Sequence, residues 1–260
     1  MNETTIAPGT IIREWRQKRR MSQLDLALEA EISQRHLSFL ESGRSKPSRE
    51  MALAISERLE MPLRQRNRLL LAAGFAPSFA ERALDSEPLR PAMDAVQAVL
   101  SANMPNPAIA VDRHWNLVLG NDAVQSFLGL VQDQRLLEAP VNVLRLSLHP
   151  GGLAPYILNL GEWREHLLER LSRLNDQYAD AELHALEEEL RAYPGDTRRA
   201  VRPHGLSEIA VPLKLGIGGA ELSFISTITV FGTPLDVTLS ELAIESFFPT
   251  DDTTRAFLAG

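Results

Sequence analysis

A chain of 260 residues is long for one compact domain and short for three, so two domains, each with its own core, are expected. Cysteine is absent, which excludes a disulfide framework, thiolate-held zinc and a cysteine nucleophile. The net charge of -7 argues against a nucleic-acid partner until it is divided: residues 1–74 carry 13 Lys or Arg against 9 Asp or Glu, net +4, and residues 75–260 carry 14 against 25, net -11. A basic first segment on an acidic remainder is the pattern of a DNA-reading unit joined to a module that stays off the phosphate backbone. Residues 1–10 lack the basic start and apolar core of a signal peptide, and no run of about 18 apolar residues could span a bilayer, so a cytoplasmic protein without a membrane partner is expected.

Residues 9–74 predict five short helices. The first carries Ile12, Trp15 and Arg16 and ends in the basic run Lys18, Arg19, Arg20. Ser22 is placed as N-cap of QLDLALEA and Ser33 as N-cap of QRHLSFLES, with Gly43 as a C-terminal stop. Leu24, Ala27 and Leu28 give the first of these an apolar face, and Ile32, Leu37 and Leu40 the second. The 3.6-residue period repeats from Ser48 to Leu59 and from Pro62 to Ala73.

A short turn between helices two and three, near Ala30 to Ile32, would set the third at a steep angle so that it enters a major groove. Its start then presents Ser33, Gln34, Arg35, His36 and Ser38 to base edges, with Arg35 suited to guanine and Gln34 to adenine. Gln23, Arg44 and Lys46 fall where flanking phosphates would lie. His36 and Ser38 fit base contact and idle surface equally well, and Phe39 a brace or a thymine methyl. One such motif reads few base pairs, so a homodimer on a palindromic double-stranded operator, its half-sites about 34 Å apart, is expected.

The stretch GTIIREWRQKRRMSQLDLALEAEISQRHLSFLESGRSKPS resembles the XRE family, the helix-turn-helix regulators related to the lambda and 434 repressors, over residues 9–74. The resemblance implies phosphate contact by Gln23 and base reading by Gln34 and Arg35. One position departs from the pattern. Glu31 stands where the turn commonly has glycine, so it must adopt a positive φ or the turn must be reshaped.

Gly74 to Arg90, with Pro77 and Pro88, is the boundary region: a DNA-binding domain over 1–78, a linker over 79–90 and a second domain over 91–260 are expected. Beyond it PAMDAVQAVLSA predicts a helix, PAIAVDRHWNLVLG two short strands about a turn at Asp112 to His114, and Asn121 the cap of a following helix. Leu160, Trp163, Leu167, Leu171, Leu174 and Tyr178 recur at helical steps, as do Leu183, Leu186, Leu190 and Tyr193. From Leu206 the period becomes two: IAVPLKL and ELSFISTITVF flank Gly216, Gly218 and Gly219, and a further strand is expected from Leu235 after the turn at Gly232 to Pro234, making an antiparallel meander. The whole is α+β: an all-α domain followed by an antiparallel sheet packed under helices.

Catalytic patterns are missing, so the chain does not read as an enzyme. His36, His114, His149, His166, His184 and His204 show no metal-ligand spacing, and no GxSxG or Walker loop occurs, so no catalytic or metal residue is assigned. GIGG at 216–219 reads as a hairpin turn, and Glu187 to Glu189 as a solvated helix face. Apolar residues such as Ile109, Val111, Trp115, Leu117, Leu119, Phe127, Phe224, Ile228 and Val230 fill a core or line a pocket, and the residues alone favour a core.

The segments PAIAVDRHWNLVLGNDAV, NVLRLSLHP with EWREHLLERL, and DVTLSELAIESFFP resemble the ligand-binding domain of MmyB-like regulators, a PAS-like fold that follows an XRE-type motif. The resemblance spans most of 90–258 and implies a buried hydrophobic small molecule, a fatty acid foremost, with no other cofactor. On that implication Val111, Trp115, Leu117, Phe127, Trp163, Phe224 and Ile228 surround the ligand, and Arg145, His149 and Tyr156 are candidate anchors for its head group. Against the anchors stand a surface salt bridge for Arg145 and half-buried packing for Tyr156. The competing functional reading is a repressor or antitoxin-like protein whose second domain is a ligand-free interaction or dimerisation module.

Overall fold

The structure, a computed structural model, describes residues 6–178, 180–195 and 210–259. His204 and the expected start of the period-two region at 206–209 lie outside the described residues. The chain forms two compact units, residues 1–83 with 233–240, and residues 84–232 with 241–260.

The first unit contains α1 (Pro8–Lys18), α2 (Gln23–Glu29), α3 (Gln34–Glu41), α4 (Arg49–Arg58) and α5 (Leu63–Ala72). Ser22 and Ser33 cap helices as expected, and Ser48 does the same: Ser22 Oγ accepts from the Asp25 N–H at 3.1 Å, Ser33 Oγ from His36 at 3.1 Å and Ser48 Oγ from Met51 at 3.2 Å. Asp25 returns a bond to the Ser22 N–H at 2.8 Å, which completes a capping box. Four helices stop by one device. Arg20, Glu31, Glu60 and Gly74 are left-handed, with φ of 56°, 55°, 47° and 90°. The next N–H in each case bonds back to a carbonyl in the last turn: Met21 to Arg16 at 3.1 Å, and Ile32 to Ala27, Met61 to Ser56 and Phe75 to Leu70 at 2.9 Å. Each of these returning residues is apolar and packs on the core formed by Ile12, Leu26, Leu37, Leu40, Ile55 and Leu69.

On α2 the buried residues are Leu26 and Ala27, while Leu24 and Leu28 are 50% and 70% exposed, which corrects the face expected from sequence. Seven residues are under two turns, too few for periodicity to fix the phase; the Ser22 cap and the Ile32 return bond fix it instead. After α5, buried Asn67 accepts from the N–H groups of Ser78 and Phe79 at 3.0 and 3.1 Å and donates to the Phe79 carbonyl at 2.7 Å. Residues 233–240 are bound to this stretch. Val237, fully buried, donates its N–H to the Ala80 carbonyl at 2.8 Å, Asp236 pairs with Arg82 at 2.9 Å, and Thr238 Oγ1 donates to the Arg82 carbonyl at 2.7 Å.

The second unit holds α6 (Arg90–Ala102), β1 (Ala108–Val111), β2 (Leu117–Gly120), α7 (Gln125–Leu128), α8 (Val143–Leu148), α9 (Leu160–Tyr178), α10 (Ala181–Ala192), β3 (Leu213–Ile217), β4 (Ala220–Val230), β5 (Ala243–Pro249) and α12 (Asp252–Ala259); α11 (Val237–Ser240) falls within the first unit. The sheet is antiparallel in the order β2-β1-β5-β4-β3, giving the α+β class expected from sequence. Two details differ from that expectation. The last strand begins at Ala243 and not near Leu235, and it inserts between β1 and β4, so the sheet is no simple meander. Asn121 makes no side-chain cap; buried, it accepts from the Ala108 N–H at 3.1 Å and donates to the carbonyls of Leu100 and Asn106 at 3.1 and 2.8 Å, tying α6 to β1.

Alternation sorts the strands onto two faces. Ile109, Val111, Leu215, Leu222 and Phe224 face Leu144 and Leu148 of α8, Trp163, Leu167 and Leu171 of α9, and Leu183, Leu186 and Leu190 of α10. Ala108, Ala110 and Ile244 face Val96 and Leu100 of α6. Covered on both faces, β1 is therefore apolar throughout (AIAV).

Candidate functional site

The first candidate site is the surface of α2, the turn and α3. Glu31 takes the positive φ that its position requires, so the turn keeps its shape without glycine. Gln34 and Arg35 are exposed at the start of α3, with Ser33 exposed as its cap and His36 and Ser38 half-buried. Phe39 lies between two guanidinium groups, Arg35 at 5.4 Å and Arg44 at 5.8 Å from its ring centroid, so it braces the basic side chains around the helix. Arg44 and Lys46 are exposed in the loop entered through Gly43 at φ 74°.

Sequence reasoning missed the residue that holds this surface together. Glu41, 4% exposed at the end of α3, accepts two bonds from Arg16 at 2.6 and 2.9 Å and one from Gln23 Nε2 at 2.8 Å, while Arg13 donates to its backbone carbonyl at 3.0 Å. Burial alone would raise the carboxyl, but the bonds from Arg16 and Gln23 and the Arg16 and Arg13 charges hold it below the usual carboxylate range. Gln23 thus orients α2 against α3 through its amide nitrogen. The visible signal was an acid in the buried phase of α3, one residue after Leu40.

The second candidate site is an apolar cavity of about 860 Å³, measured out to its mouth, inside the second unit. Of its nineteen described lining residues seventeen are apolar; the other two are Ser147 and Glu245. Trp163 Nε1 donates to Ser147 Oγ at 3.0 Å, and Phe127 meets Phe224 edge-on at 6.1 Å. The structure brings Leu117, Phe127, Trp163 and Phe224 of the expected ligand set to this wall. Val111 and Trp115 lie in the adjoining core, and Ile228 is 46% exposed.

None of the three expected anchors lines the cavity. Arg145 makes a two-pronged pair with Glu189 at 2.9 and 2.8 Å, which also accepts from the Tyr193 hydroxyl, and this bonding to Arg145 lowers the Glu189 carboxyl. His149 accepts from the Gly151 N–H at 3.0 Å and meets Tyr193 edge-on at 5.1 Å, and Tyr156 is half-buried packing on the core. Glu245 is instead the ionisable group on the wall. It is 4% exposed, its Oε1 accepts from Arg170 Nη1 at 3.0 Å, and that guanidinium lies 4.1 Å over the Trp115 ring. Burial, and then the Arg170 charge, push His166 on the same helix below the usual imidazole range. The turn at Asp112 is accounted for locally, its Oδ1 accepting from the N–H groups of His114 and Asn116 at 2.8 Å. Among the described residues no group of three or more His, Asp or Glu could hold a metal ion, and no helix is long and apolar enough to cross a membrane.

A helix-turn-helix with an exposed polar face on its second helix, on the same chain as an α+β unit with an apolar cavity, defines a transcription regulator with a ligand-binding domain. The family described as MmyB-like transcription regulator ligand binding domain matches residues 92–259, and the XRE-type helix-turn-helix family matches residues 12–65. The chain belongs to the MmyB-like regulators. No curated protein matches it. Neither matching family is one of enzymes.

Proposed function

We propose that this protein is a cytoplasmic, homodimeric regulator that binds a palindromic operator and whose second domain senses a hydrophobic small molecule with a single acyl-type chain, a fatty acid or a close relative. The observation that carries the sensor half is the cavity: its lining offers a chain an almost unbroken apolar wall. The DNA half rests on the exposed Gln34 and Arg35 and on the positive charge confined to residues 1–74.

A ligand regulates only if it prefers one arrangement of the protein over another. The route we propose runs through β4 and β5. Both line the cavity, through Phe224, Glu245 and Phe247, and residues 233–240, which lie on the chain between them, belong to the helical unit through Asp236, Val237 and Thr238. A molecule that shifts these strands would pull on the packing behind α5.

Native mass spectrometry of the full chain tests the sensor half. A retained lipid-sized mass that denaturation releases is the expected result. A clean apo mass, with no uptake of any long-chain compound, would contradict it and favour a ligand-free interaction module.

A further inference from the structure

The side chains of Ala243, Glu245 and Phe247 share the face of β5 turned toward α9, while Ile244 turns toward α6. Directly across the neighbouring strands from Glu245 stand Ile109 and Ile228, and two residues along stands Phe247. Glu245 thus lines a wall that is otherwise apolar among the described residues, apart from Ser147, whose hydroxyl oxygen accepts from Trp163. Arg170 satisfies one oxygen of Glu245; among the described residues no donor reaches the other, Oε2. The Arg170 charge is engaged on both sides, by Glu245 and by the Trp115 ring. Among the described residues the wall thus carries the unfilled Glu245 acceptor and the Ser147 hydroxyl, and no uncommitted cation.

Resting on the proposed sensor role of this cavity, we propose that it selects a single-chain amphiphile whose head group donates a hydrogen bond to Glu245: a long-chain alcohol, an amine or an un-ionised acid. An ionised carboxylate is disfavoured. At low local dielectric it would repel Glu245, or it would have to take Arg170 away and leave Glu245 buried and unpaired. A fatty acid enters on this account only with its proton, which it gives to Glu245 as a hydrogen bond. A donor bonded to a charged acceptor gains enough to separate the two classes by roughly tenfold or more.

The test is a matched titration of the delipidated full chain with dodecane, dodecanol, dodecylamine and dodecanoate at neutral pH, read by displacement of an environment-sensitive fluorophore. Dodecanol and dodecylamine are expected to bind roughly tenfold or more tighter than dodecanoate, with dodecane weaker than the alcohol. In Glu245→Gln the unpaired Arg170 should reverse the order, so that dodecanoate binds tighter than dodecylamine. Dodecanoate binding the wild-type chain as tightly as the alcohol would overturn the head-group assignment, as would dodecane matching the alcohol; both would leave the lipid cavity standing. If no member of the series binds the folded chain, the sensor reading itself fails. The wild-type series decides the question even if Glu245→Gln does not fold.

Discussion

Each half of this protein buries a glutamate, and the two are treated in opposite ways. Glu41 is closed off: donors from α1 and α2 fill both its oxygens, and nothing but protein can reach it. Glu245 is bonded at one oxygen, by a single arginine, and lines a cavity. A fully satisfied buried acid fixes geometry, here the angle between the helices that would straddle DNA. A partly satisfied one beside a cavity is a site waiting for a partner.

The largest effect expected from breaking this contrast is at Glu41. Glu41→Ala strands Arg16 beneath the helical unit and should cost about 3–5 kcal/mol in a denaturant titration; a loss under 1 kcal/mol would show that the network is ornamental. The same carboxyl gives the contrast a pH signature. Because its folded pKa lies below the ordinary 4.5, its stabilisation is present above that value and is lost as pH falls through the folded pKa. The wild-type chain should therefore lose more stability than Glu41→Gln as pH falls below about 4.5.

Next in size are the exposed residues at the start of α3. Gln34→Ala and Arg35→Ala should each weaken operator binding by about 1–3 kcal/mol in a filter or gel assay, with little change in Tm, since both side chains are exposed. Equal affinity for the double variant would remove α3 from the groove. Asp236→Ala should leave basal DNA binding near wild type but bring the effect of a cavity ligand on that binding to within about twofold of none, against the fivefold or more typical of coupled sites. The smallest effect is at Glu31: replacing it by glycine should raise stability by about 0.5–1 kcal/mol by relieving a left-handed non-glycine residue.

What the sequence made legible follows the same division. In the helical half the information is local. Ser22, Ser33 and Ser48 announce helix starts through bonds to N–H groups three residues away, and the helix-turn-helix spacing needs nothing further. What stayed hidden there is long-range: the phase of α2, too short to show its period, and Glu41, whose partners lie 18 and 25 residues away. In the other half nearly everything that makes the site is long-range. Arg145, His149 and Tyr156 were natural anchors because they sit between the first strands and the helices, yet that segment turns them toward Glu189 and the core. Nothing local marks Glu245, a single acid in the segment AIESFF, and only the insertion of β5 between β1 and β4 carries it to the cavity wall.

If the cavity is a sensor, its occupancy alters the affinity of the helix-turn-helix for DNA. The direct measurement is the affinity of the delipidated full chain for a duplex selected from random sequence, with and without saturating dodecanol, at fixed salt. A change of fivefold or more, in either direction, is expected. Unchanged affinity while dodecanol is demonstrably bound would contradict it.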